Sequence, residues 1–314
     1  WSSDVCSSDL LQNFQNTYGR YPPSCVYGRG PSNQKYESWS WLTLLLPFVD
    51  QKTLFDTYIT VNGGVPWLEP RTDREYHKTA RETPITIYLC PSTRAGRDYN
   101  GKILKGYLGR ASGDFKGALT SYKGMGDSQK EGIPFKLPGH GQTAPYPGSH
   151  PDGCMFPGTI DDGIRLSDIT DSQSQTIMAV ETVEDKYARW IVGTEATLAG
   201  LPSQNDPAKS GTTLVYNSRL GYYTPQGFDG GFKNDSKLST NLKTYLNYDY
   251  KPQANKYDPQ NDIKYGPSSM HTGQVNHLFC DGVVRPINTD VDVAAYMFMI
   301  TRSEEHTSEL QSRQ

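Results

Sequence analysis

Two short apolar runs rich in β-forming residues, Val275–Cys280 and Val283–Ile287, are separated by Asp281-Gly282. Asp-Gly between such runs is a strong short-range hairpin signal, because a two-residue type I′ turn needs φ > 0 at both central positions. The spacing predicts two antiparallel strands around Asp281-Gly282, both largely buried, inside a larger antiparallel sheet. Such a hairpin also separates the chemistry-bearing residues near it. His271 precedes the first strand and Asp281 sits at the tip, and a strand rises about 3.3 Å per residue. The two belong at opposite ends, which argues against a direct acid/base pair and for structural roles: turn geometry at Asp281 and a loop hydrogen bond at His271. By period-two alternation His277 shares a strand face with Val275 and Phe279 and is expected to be packed there.

The ends read differently from the middle. Residues 1–10 (Trp1 to Leu10) and 302–314 (Arg302 to Gln314) resemble translated sequencing-library adapter, so both are set aside from fold reasoning. Ser-rich natural termini are the alternative, and Arg302 could belong to either side. Of the 34 acidic and 31 basic residues, the two ends hold five acids and two bases, which leaves 29 of each between them. A balanced charge gives no electrostatic reason to expect nucleic acid. The ends are expected to be unpacked.

Residues 11–301 are long enough for one large domain or two modest ones, and no linker divides them convincingly. Tyr (21), Gly (30) and Pro (21) are plentiful, which suits a loop-rich β protein facing an aqueous exterior. No apolar run reaches the roughly 18 residues of a membrane span. Leu11–Tyr18 reads as the end of a helix capped by Gly19 and stopped by Pro22-Pro23, with Leu11, Phe14 and Tyr18 on one face turned toward the sheet. Trp41–Leu46 is helix or strand, and Pro47 suits the first turn of a helix running to about Tyr58. Trp39 and Trp41 are core or subunit-contact residues rather than a ligand platform. Ile85–Leu89 reads as a strand stopped by Pro91. Further strands are expected over Thr120–Gly126 and Thr176–Thr182, a polar turn region over Arg165–Gln175, and a short helix over Val291–Ile300. Residues 127–160 and 201–265 read as long loop-rich excursions.

The chemistry scan is mostly negative. Cys25, Cys90, Cys154 and Cys280 show no zinc spacing. In an exported protein they could form two disulfides in three connectivities, and in a cytosolic one they would be buried small hydrophobes. His140 and His150, near Asp152 and Cys154, match no standard ligand spacing. Asp161, Asp162, Asp168 and Asp171 are turn carboxylates without a calcium-loop pattern. Gly-x-Ser-x-Gly, His-Glu-x-x-His and the phosphate-loop pattern do not occur, and Gly28-Arg29-Gly30 and Gly139-His140-Gly141 read as turns. No catalytic residue, metal or cofactor is expected.

Several landmarks occur in a set order: Tyr18-Gly19-Arg20-Tyr21-Pro22-Pro23, then Trp39 to Leu46-Pro47-Phe48, Leu89-Cys90-Pro91-Ser92, Thr120-Ser121-Tyr122, Asp168-Ile169-Thr170-Asp171 to Glu181, and finally His271 followed after nine residues by Asp281-Gly282. Together they resemble a prepilin-like (pseudopilin-like) family of unknown function. Asp171-Ser172-Gln173-Ser174-Gln175 departs from that family's Asp-Gly-Thr-Ser-Asn, and Gly273-Gln274 from its Gly pair. The resemblance implies an α+β, pilin-like fold, with an N-terminal helix stub packed on an antiparallel sheet with long insertions. His271, Gly273, Asn276, Asp281 and Gly282 would be signature residues with structural roles. It also implies a cell-envelope or extracellular protein, anchored by a helix upstream of Leu11 and touching the membrane only through it. Its expected partners are other pilin-like subunits or envelope components, with no nucleic acid and no enzymatic activity. The alternative function is an extracytoplasmic module that binds carbohydrate or peptide through its Tyr- and Trp-rich loops.

Overall fold

The computed structural model describes residues 3–29, 35–59, 78–91, 98–103, 113–129, 152–184, 188–201, 214–217, 222–225, 246, 266–291 and 293–302. In chain order these form helix α1 (Ser3–Tyr18), strands β1 (Cys25–Arg29) and β2 (Lys35–Ser40), and helices α2 (Trp41–Leu45), α3 (Lys52–Leu54) and α4 (Lys78–Glu82). Strands β3 (Asp98–Ile103), β4 (Gly113–Ala118), β5 (Tyr122–Gln129), β6 (Ile177–Glu181), β7 (Thr197–Leu201), β8 (Leu214–Asn217), β9 (Tyr222–Pro225), β10 (Gln274–Phe279) and β11 (Val284–Asn288) follow. Helix α5 (Val293–Ile300) comes last.

The fold is α+β. A five-stranded sheet in the order β11-β10-β6-β5-β7 is antiparallel throughout except for the parallel β5–β7 pair. The other described strands form the two-stranded pairs β1-β2, β3-β4 and β8-β9. Register sorts the side chains of the main sheet by face. Leu278, Ala179, Gly124 and Thr197 lie in one row, and His277, Val180 and Lys123 lie on the opposite face. Helix α5 packs over β5, β6 and β7 and brings Tyr296 to the His277 face. Trp41 of α2 lies on the other face, beside Leu278 and Ala179. The sheet is therefore covered on both sides, which explains why every residue of β6 is buried.

Helix α2 begins where Ser40 caps it, accepting a hydrogen bond from the Thr43 N–H at 3.2 Å. It passes into a 3-10 turn over Leu46–Phe48 that starts around Pro47. The helix expected to run from Pro47 to Tyr58 is broken. Asp50 takes φ +58° after the 3-10 turn, and α3 then leads into a single π-helical stretch, Phe55–Ile59. Trp39 and Trp41 are fully buried, and the Trp41 indole donates to the Ala196 carbonyl at 3.2 Å. Both serve the core.

Four further sequence expectations need correction. Ile85–Leu89 is not a strand. Thr86–Tyr88 is a 3-10 turn whose Tyr88 hydroxyl donates to the Leu42 carbonyl at 2.7 Å. β-Branched composition measures fit to a half-buried surface rather than a backbone preference, and here the buried residues face helices. The tip of the β10–β11 hairpin is not a two-residue type I′ turn. Gly282 alone has positive φ, +81°, its N–H donates to the Phe279 carbonyl at 2.9 Å, and the Phe279 N–H donates to Val283 at 3.0 Å. That pattern is a three-residue loop with glycine in the left-handed position, the other common hairpin closure. The strand β11 is an edge and only Ile287 in it is buried; Pro286, which has no N–H to give, is tolerated at such an edge. Gly28 and Arg29 lie in β1 rather than in a turn.

The helix α1 extends back to Ser3, through residues set aside as adapter-like, and Ser8 and Leu10 are buried. The expectation that residues 1–10 are unpacked fails at Ser8 and Leu10, because the buried helical face of Leu11 and Phe14 carries on through Leu10. Gly19, φ +72°, ends the helix as expected, with its N–H on the Gln15 carbonyl at 2.7 Å. Leu11 and Phe14 are buried, α1 packs on Thr86–Tyr88, Trp41–Leu45 and Leu46–Phe48, and the Phe14 ring meets Phe48 edge-on. Tyr18 is 55% exposed and rests on the rings of Phe14 and Phe48. At the other end Arg302 belongs to the packed body. Its N–H donates to Asp152, its carbonyl accepts from Thr170, and its guanidinium donates to the Gly153 carbonyl at 2.8 Å.

The excursion placed at 127–160 is shorter than expected. The strand β5 runs to Gln129, and residues 152–158 return to the core with Gly153 against the β5 backbone and the Met155 N–H on the Met125 carbonyl at 3.1 Å. Most of 201–265 lies outside the described residues, as do His140, His150 and residues 139–141.

Candidate functional site

The signature residues are spread along one hairpin. His271 is half-buried in the turn before β10; its backbone N–H donates to the Ser269 hydroxyl at 3.0 Å, and its carbonyl receives the Gln274 N–H. Gly273 has φ +72° with open space where a Cβ would stand, so the backbone conformation is what it supplies. Asn276 faces Pro286 across the ladder. Asp281 does more than shape the turn. Its Oδ1 accepts from the Val283 N–H at 3.0 Å, and its two oxygens take a bidentate pair of bonds from Arg285 at 3.2 and 2.6 Å. The Arg285 guanidinium also lies over the Phe279 ring, 4.6 Å from its centre. Hydrogen bonding by Arg285 holds the Asp281 carboxyl below its ordinary range. The strand β10 lies between His271 and Asp281, about 20 Å of extended chain, so the two do not form a joint site.

His277, not His271, is the histidine with a built environment. It is fully buried, its Nδ1 lies 2.9 Å from the Val275 carbonyl and its Nε2 2.9 Å from the Tyr296 hydroxyl. A carbonyl only accepts, so Nδ1 carries the proton and Nε2 accepts from Tyr296. Burial pushes the His277 pKa down to about 4 and the Tyr296 hydroxyl far above its ordinary value. The imidazole is neutral and both its nitrogens are used, which leaves it no capacity for a ligand.

On the same face, Lys123 is fully buried, and burial lowers its pKa to about 7 against the upward pull of Glu184 and Glu195. Glu195 is itself held by Arg189, whose Nε and terminal nitrogen donate to its two oxygens at 2.8 and 2.5 Å and whose backbone N–H adds a third bond at 2.9 Å. These charges are paired with each other in the core.

A cleft lies on the opposite face. Trp41, Tyr122, Ala179, Val180, Glu181, Asn276, Leu278 and Val284 line it, and its interior admits a group of about one water's size. Glu181, at the end of β6, is 2% exposed, and neither carboxylate oxygen has a hydrogen-bond partner. A buried carboxyl without a partner is costly. Its chemistry calls for a donor: a hydroxyl, an amide or an ammonium group. The sequence marked Glu181 only as the end of a landmark and Asn276 only as a structural residue. A lone acid closing an otherwise apolar strand was the available signal, and its apposition to Trp41 depends on tertiary packing.

Two of the turn carboxylates, Asp162 and Asp168, are occupied locally. Asp162 accepts from the Thr159 N–H at 2.6 Å and Asp168 from the Arg165 N–H at 2.9 Å, each closing its own 3-10 turn. Among the described residues no group of three or more His, Cys, Asp or Glu side chains is placed to hold a metal ion. No described helix is long and apolar enough to cross a membrane.

No curated protein and no solved structure matches the chain. Residues 11–294, from the helix α1 through the hairpin to the first turn of α5, match the family described as "Protein of unknown function (DUF1559)", and the chain belongs to that family.

Proposed function

We propose that residues 11–301 are the exported head of a cell-envelope structural protein resembling a pseudopilin. The observation that carries this reading is the seating of α1. A helix capped at Gly19 lays Leu11 and Phe14 into the core of an α+β head. A helix docked in this way can join a head to an apolar segment upstream, which would hold the protein in the membrane and then in an assembly. The partners in this reading are other pilin-like subunits or envelope components, and no catalytic step is assigned. The test is expression from the genomic gene followed by cell fractionation and mass spectrometry of the mature N-terminus. The expected result is an envelope protein with a processed, methylated first residue. An intact protein found in the cytosol, with no apolar helix upstream of Leu11, would sink the proposal.

The Glu181 cleft favours a second reading, an extracytoplasmic binding module. Aromatic walls with one unpartnered carboxyl suit a single hydroxyl of a sugar or a single ammonium or amide group of a peptide. Thermal-shift screening of oligosaccharides and short peptides, on the wild type and on Glu181→Gln, separates the two. A shift seen in the wild type and lost in the variant supports binding, and no shift across both panels removes it.

A further inference from the structure

We infer that Cys154 and Cys280 form a disulfide that ties the tip of the β10–β11 hairpin to the returning segment 152–158. Their sulfurs lie 3.3 Å apart, and each residue is 1% exposed. A disulfide needs about 2.05 Å, so closure asks for a displacement of about 1.3 Å, within the reach of small side-chain rotations. Both backbones are already fixed. The Cys280 N–H donates to the Thr176 carbonyl at 2.9 Å, in the loop whose Gly282 supplies the left-handed position. Cys154 lies between Gly153, whose α-carbon backs onto Gly126 so closely that an added Cβ would stand 2.7 Å from its carbonyl carbon, and Met155, bonded to Met125. Neither partner must be dragged across the fold to reach the other.

The sequence left three connectivities open among Cys25, Cys90, Cys154 and Cys280. The geometry selects the one containing the pair 154–280. The 126-residue separation explains why spacing could not reveal it. The bond would close a long loop that contains β6 to β10 and the whole of residues 201–265, and long loops gain most from a cross-link through the unfolded state. In the reaction two thiols give up two protons and two electrons to form the S–S bond. The oxidant is the disulfide of a thiol–disulfide oxidoreductase of an oxidising compartment, which is reduced to a dithiol. Formation in the cell therefore rests on the reading of the protein as exported, whereas the pairing itself rests only on the fold.

The experiment separates these two. The full chain is unfolded, reduced, and refolded in a glutathione redox buffer, then alkylated and digested without reduction. The expected product is a peptide containing Cys154 linked to one containing Cys280, with a melting temperature about 5–15 °C above that of the reduced protein. The Cys280→Ser variant should melt near the reduced protein and lose the response to reductant. Cys154 and Cys280 both alkylated in the folded, oxidised sample, or either one linked to a different cysteine, would overturn the pairing. Thiol trapping of the protein in its own cells then tests the compartment. The linked peptide supports export, while fully reduced cysteines beside successful pairing in vitro overturn the export reading and leave the geometry standing.

Discussion

His277 Nε2 lies 2.9 Å from the Tyr296 hydroxyl, and this contact joins the sheet to the C-terminal helix through a fully buried imidazole. Burial lowers the His277 pKa from 6.5 to about 4. A lowered folded-state value means that the unfolded chain binds the proton first, so stability is complete above pH 6.5 and is lost as pH falls toward 4. The expected loss across that window is about 3 kcal/mol. Urea unfolding at steps from pH 7 to 4.5 measures it, and an unchanged midpoint between 6.5 and 4.5 would contradict the assignment. Tyr296→Phe leaves Nε2 without its donor and should cost about 1–3 kcal/mol at pH 7.

The hairpin tip gives a second, separable prediction. Gly282 has φ +81°, which costs a residue with a side chain about 1–2 kcal/mol, so Gly282→Ala should destabilise by that amount although a Cβ there would meet Gln12 and Ser8 only at ordinary contact distances of 3.7 and 3.8 Å. Asp281→Asn keeps the shape but loses the charge facing Arg285, a partly exposed pair, and should cost less than about 1 kcal/mol. The Asp281 carboxyl is held below its ordinary 3.8, so its stabilisation disappears only as pH falls below that value, beneath the His277 window. Equilibrium unfolding of both variants at pH 7 should rank glycine above aspartate in cost. The reverse order would mean that the ion pair, not the backbone, holds the tip.

The sequence carried the local features of this fold and few of the distant ones. Gly19, the Asp281-Gly282 hairpin, the strand ending at Glu181 and the helix after Val291 were all legible, because each is encoded by neighbouring residues. Ile85–Leu89 misled because its β-branched residues were bound for a packed 3-10 turn that a single strand pattern cannot distinguish. The turn type at Asp281-Gly282 was missed because Asp-Gly also closes hairpins with a three-residue loop, and hydrogen bonds from Phe279 decide between the two. The cleft was invisible for a different reason. Trp41, Glu181 and Asn276 come from three elements, and no spacing encodes their meeting. His271 attracted attention by its place in the signature, while the histidine with two defined partners was His277, whose partner Tyr296 lies on a separate helix.

The buried ion pair on the Lys123 side of the sheet should be sensitive to truncation of either partner. Arg189 spends three hydrogen bonds on Glu195, including one from its backbone. Glu195→Ala would take away the carboxylate that accepts three hydrogen bonds from Arg189, whose side chain is 2% exposed, and leave Lys123 with one carboxylate fewer, at a cost of about 3–5 kcal/mol. Loss of cooperative unfolding or a drop of that size is expected by circular dichroism, and a change within about 0.5 kcal/mol would show that the pair is not closed in solution.

Glu181 should behave in the opposite way. Its two oxygens have no hydrogen-bond partner among the described residues, yet the side chain is 2% exposed. Nothing in the fold therefore rewards the acid over its neutral isostere. Glu181→Gln removes an ionisable group from an apolar wall while keeping the volume between Trp41 and Asn276, and an amide still costs something to bury unpaired. The free protein should be unchanged or more stable by up to about 2 kcal/mol at pH 7. Denaturation of both proteins at pH 7 measures the difference. A loss of more than about 1 kcal/mol in Glu181→Gln would mean that the carboxylate is bonded within the folded chain, and the cleft would then have no free group to offer a ligand.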